Sequence, residues 1–98
     1  MKYKTIEPCK TKKGFQGIPE IPIKINLTAL SENLPKYLPS FKLVRLTKVA
    51  VLFKDQESGY RLSIYPTGKA FAFEVEKKEK ALEIFNKISQ CITELNKS

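Results

Sequence analysis

The sequence predicts an α+β fold: one curved antiparallel sheet of about four to five strands, with helices on a single face. Three observations predict it. Tyr60–Tyr65 and Lys69–Val75 alternate apolar and other residues on either side of Pro66-Thr67-Gly68, which marks two strands joined by a tight turn. Glu76 onward carries Leu82, Phe85, Ile88, Ile92 and Leu95 at spacings of three and four, the stripe of a helix packed on one side. Earlier segments rich in Ile, Val, Leu and Phe supply the remaining strands.

Taken in order, residues 1–20 hold Lys2, Lys4, Lys10, Lys12 and Lys13 with Pro8, Gly14, Gly17 and Pro19. This reads as an extended basic arm, with room for a short strand at Tyr3–Ile6. The arm either settles on phosphates through Lys10, Lys12 and Lys13 or stays a solvated tail. Residues 21–98 then form the single folded domain. Pro22–Thr28 alternates strictly, so it is a strand with Ile23, Ile25 and Leu27 inward and Lys24, Asn26 and Thr28 outward. Ser31 caps a short helix over about 31–38. Phe41–Lys54 is one long strand, or two broken near Thr47-Lys48. Asp55–Gly59 is a hairpin loop with Gly59 left-handed. The last helix covers about 77–95.

The two strands around Gly68 sort their side chains onto opposite faces. Leu62, Ile64, Ala70 and Ala72 take one side, where Ala lets a helix come close. Arg61, Ser63, Tyr65, Lys69, Phe71 and Phe73 take the other. That second set is basic, hydroxyl-bearing and aromatic, and no helix is left to cover it. The opposite register would put Phe71 and Phe73 under the helix. It would break the otherwise consistent core of Ile23, Ile25, Leu27, Leu62 and Ile64.

Charge narrows the partners. Lys and Arg number 18 against 10 Asp and Glu, giving a net charge of +8. Such a balance favours polyanions, nucleic acid first and an acidic protein or membrane surface second. Catalysis is disfavoured. The chain has no His, which removes Ser-His-Asp and Cys-His chemistry, and no acid pair is evidently placed in a cleft. Cys9 and Cys91 cannot make a zinc set, so no metal or other cofactor is expected. Cys91 reads as a small apolar residue on the last helix, with a Cys9–Cys91 disulfide left open. No apolar run approaches a membrane span, and a cytoplasmic protein is expected.

The run Leu62-Ser-Ile-Tyr-Pro-Thr-Gly-Lys-Ala-Phe-Ala-Phe73 resembles the strand, Ser-Gly-Lys, strand signature found in each half of TATA-binding proteins. A long helix follows it there as here. The same half-fold also occurs as the N-terminal domain of type 3 ribonuclease H. The resemblance spans about residues 20–95, and only the turn is specific. It implies DNA binding in transcription or nucleic-acid processing, by a homodimer that forms a saddle. It also implies roles. Tyr65 falls where a wedging Phe would be, and Phe71 and Phe73 where the groove floor is touched. Lys24, Asn26 and Thr28 lie near groove-reading positions, and Arg45 and Lys69 at phosphate-contacting ones. The chain departs from the family in the Tyr65 hydroxyl, in Leu38 and Pro39 at the second wedge, and in the bulk of Phe73. A protein interface on the same face, in a structural or assembly subunit, is the other function the sequence allows.

Overall fold

In the computed structural model, which describes residues 1–10 and 13–96, the chain is α+β. Six strands form one sheet: β1 (Tyr3–Pro8), β2 (Gly14–Pro19), β3 (Phe41–Leu46), β4 (Val51–Asp55), β5 (Arg61–Ile64) and β6 (Ala70–Phe73). Their order across the sheet is β1-β2-β6-β5-β4-β3, and every neighbouring pair is antiparallel. Helix α1 (Leu27–Asn33), a 3₁₀ turn (Leu34–Lys36) and helix α2 (Lys78–Leu95) complete the fold.

The core lies between one face of the sheet and the helices. Leu62, Ile64, Ala70 and Ala72 are at most 1% exposed, as their alternation demands. They join Phe15, Val51 and Phe53 from other strands and Ile84, Phe85, Ile88 and Ile92 from α2. Burying each large side chain is worth about 1.5–3 kcal/mol, so this single layer carries most of the stability. Helix α2 turns Ala81, Ile84 and Cys91 inward, and Leu82 is exposed. The expected stripe included Leu82. Phe85, Ile88 and Ile92 of that stripe are buried, and Ala81, Ile84 and Cys91 widen it on the side away from Leu82.

The N-terminal residues are not an extended arm. β1 and β2 form a hairpin, and β2 pairs with β6 through Phe15 opposite Ala72 and Gly17 opposite Ala70. Glycine hides the alternation that would have signalled this strand. A Cβ on Gly17 would sit 2.9 Å from Tyr3 Cδ1 and 3.1 Å from Phe85 Cδ1. Only a residue without a side chain lets β2 lie this close to the rings. The bulge between Tyr3 and Thr5 blurs the period of β1 in the same way.

Pro22–Thr28 is not a strand. Its burial alternates as expected, with Ile25 and Leu27 buried and Lys24, Asn26 and Thr28 exposed. The place beside β6 is already filled by β2, however, and the segment's backbone reaches only the β5–β6 turn among the described residues, from Ile25 N–H to Pro66 O (2.8 Å). Asn26 then caps α1, its Oδ1 accepting from Ala29 N–H at 3.1 Å. A side chain that can bond the following backbone favours a helix start over a ladder. Ser31 is not the cap. It lies inside α1 and donates to Thr28 O (2.7 Å).

Phe41–Lys54 is two strands, with Thr47 closing the turn between them through Thr47 N–H and Oγ1 to Ala50 O. The Asp55–Gly59 loop forms as expected, Asp55 N–H donating to Tyr60 O and Gly59 N–H to Asp55 O. Both cysteines are free thiols. No helix among the described residues is long and apolar enough to cross a membrane.

Candidate nucleic-acid interface

The sheet face away from the helices carries two transverse rows of side chains, fixed by strand register. Residues opposite one another on paired strands share a face. One row runs Arg45, Leu52, Ser63, Phe71, Gln16, Glu7. The next runs Lys42, Lys54, Arg61, Phe73. Lys42, Lys54 and Arg61 therefore stand side by side on three neighbouring strands. Like charges directly opposite destabilise a sheet, so this row costs stability.

The aromatic residues form a continuous strip. Phe71 and Phe73 are parallel within 3° with centroids 5.7 Å apart, and Tyr65 meets Phe71 edge-on at 5.9 Å. Cations flank the strip: Lys69 Nζ is 5.2 Å from the Phe71 centroid and the Arg61 guanidinium 5.9 Å from that of Phe73. These contacts hold long side chains over ring faces. The three rings are half-buried.

The turn that aims Tyr65 and Lys69 is tied down from the N-terminal segment. Tyr65 N–H donates to Lys69 O and Gly68 N–H to Tyr65 O, both at 2.9 Å. Gly68 has φ +92°, and a Cβ there would meet Ile23 and Pro19 below 3.0 Å. Tyr3 donates its hydroxyl to Gly68 O (2.8 Å). Burial pushes the Tyr3 phenol far above its usual pKa, so it remains a donor across the working pH range.

Acidic groups near this face are engaged. Glu7 accepts from Gln16 Nε2 at 2.7 Å. Glu74 closes β6 in a left-handed conformation (φ 69°), which returns its carboxylate to Arg61 at 3.5 Å. The Arg61 side chain is 56% exposed, so this pair is weak and a stronger anion can replace it.

The structure brings together Arg45, Arg61, Ser63, Tyr65, Lys69, Phe71 and Phe73. It does not bring Lys24, Asn26 and Thr28 to them. Those three lie in the lead-in to α1 and its first turn, because the segment expected to be an inner strand never joins the sheet. Lys10 is exposed in the β1–β2 connection, and Lys12 falls outside the described residues. Lys13 pairs with Glu76. Their hydrogen bond raises the lysine pKa and lowers that of the carboxylate, so Lys13 is held in the β2–α2 region.

Sequence reasoning missed Lys42, Leu52 and Lys54, and also Val44, which is 62% exposed at a bulge in β3. Period-two alternation in Val51–Asp55 did hold the signal for Leu52 and Lys54. Among the described residues no group of three or more His, Cys, Asp or Glu is placed to hold a metal ion. Compared with protein-family models, with curated proteins and with solved structures, the chain matches none.

Proposed function

We propose that this chain is a non-catalytic nucleic-acid-binding module that uses the helix-free face of its sheet. One observation carries the reading: Lys42, Arg45, Lys54, Arg61 and Lys69 share a face with three clustered rings, while Glu7 and Glu74 beside them are already paired. Cations hold phosphates and give salt-dependent affinity, and rings give stacking surface. The resemblance of residues 62–73 to a TATA-binding-protein half-repeat favours DNA over RNA. On that view two copies present a saddle, since the resemblance covers a single half-repeat. Anisotropy titration of labelled duplex and single-stranded DNA at two salt concentrations tests the proposal. Affinity should fall steeply with salt, and replacing Lys42, Lys54 and Arg61 together by Gln should cost at least roughly tenfold. Absence of binding to either probe at low salt defeats it.

A second reading, a structural or assembly subunit, rests on a different observation. The edge strand β3 and the turn after it expose Leu43, Val44, Leu46 and Val49. An open edge with apolar side chains is a template for strand pairing. Light scattering of the wild type and of Phe71→Glu separates the readings. A dimer split by Phe71→Glu makes the face a protein interface. An unchanged mass with lost DNA binding makes it a nucleic-acid surface.

A further inference from the structure

The open face is not flat. Between the bulged Val44 on β3 and Phe73 on β6 lies a hollow of about 300 Å³, bordered by Leu52, Lys54, Arg61 and Ser63. Its floor is low at the small Ser63, and Phe53 and Leu62, which also border it, are each only 1% exposed. This volume sits at the lower end of the roughly 300–1,000 Å³ typical of small-ligand sites.

We infer that this hollow receives one unpaired nucleobase, so that the ligand of the face is a single strand. The inference rests on the nucleic-acid reading above and names its substrate class. A base inside a duplex offers a protein only its edge, in a groove. A hollow walled by an aromatic ring gains from a base only when the flat of the base is free, which requires it to leave its stack. Phe73 supplies the ring, from which the Arg61 guanidinium, 5.9 Å from its centroid, would swing aside to admit the base. The polar groups at the rim are donors: the Arg61 guanidinium, the Lys54 ammonium and the Ser63 hydroxyl. Among the described residues no carboxylate lines the hollow. Donors select bases with carbonyl oxygens, and thymine or uracil presents two. Lys42 continues the cation row outward from Lys54 and is placed for the phosphate that follows the captured base.

The test uses fluorescence anisotropy of the full chain with three probes of equal length. These are an oligothymidylate, an abasic oligonucleotide with the same phosphates, and the oligothymidylate paired with oligoadenylate. The oligothymidylate should bind at least roughly tenfold tighter than either of the others, since stacking is worth about 1–3 kcal/mol per base. Ser63→Leu, which raises the floor without changing charge, should bring oligothymidylate down to the abasic level. Equal affinity for all three probes, or tighter binding of the duplex, overturns the inference while the sheet-face reading stands. Failure of all three probes overturns both. Titration of thymidine monophosphate followed by amide chemical shifts needs no variant. Shifts centred on Val44, Ser63 and Phe73 support the site, and shifts confined to other residues overturn it.

Discussion

Lys54 stands between Lys42 and Arg61 in the row of cations, and its charge is the cleanest place to separate stability from binding. Lys54→Met keeps the stem and removes the charge. With ammonium and guanidinium groups roughly 7 Å apart, each repulsion is about 0.6 kcal/mol in water before screening. Two such pairs, screened over a Debye length of about 8 Å at 0.15 M salt, leave about 0.5 kcal/mol; at 0.01 M they leave about 0.9 kcal/mol. Lys54→Met should therefore stabilise the free protein by about that much, and more at low salt than at high. Urea unfolding followed by circular dichroism at both salts reads the difference as a shift in midpoint. The same variant should weaken oligonucleotide binding and lower the slope of log affinity against log salt by about 1. A variant less stable than wild type, or equally shifted at both salts, would refute the idea of a repulsive row. An unchanged salt slope would remove Lys54 from the phosphate contacts.

Gly17→Ala forces a Cβ to within 2.9 Å of the Tyr3 ring and 3.1 Å of Phe85. It should cost about 1–3 kcal/mol of stability, read from urea midpoints. Asp55 is 7% exposed. Burial alone would raise its pKa, but the Ser58 hydroxyl, the Glu57 and Ser58 amides and Ser40 outweigh burial and lower it. A depressed folded-state pKa adds stability that is full above the unfolded value of about 3.9 and is lost as pH falls through the folded value. Wild type should thus weaken below about pH 4, and Asp55→Asn should be less stable at neutral pH with a flatter acid limb. The Cys91 thiol is buried, its pKa pushed up to about 11 by burial despite an opposing pull from Lys36. A thiol reagent on native protein should label the half-exposed Cys9 and reach Cys91 only on unfolding. Equal labelling rates for both would contradict the packing of α2.

The strands on both sides of Gly68, the final helix and the core-facing side chains of Tyr60–Phe73 were legible in the chain alone. Alternation with period two and a stripe with period near 3.6 are local, and each was written in residues with side chains large enough to show it. The rings at 71 and 73, set against alanines at 70 and 72, made the open face readable without coordinates. Which segment pairs with β6 emerged only in the assembled sheet. Pro22–Thr28 has the better alternation, yet β2 takes the place because Gly17 allows contact with Phe85, and an absent side chain leaves no pattern to read. The row of Lys42, Lys54 and Arg61 was decided the same way. Those residues lie far apart in sequence, and only strand register, set by the bulge at Val44 and the two hairpins, puts their charges side by side.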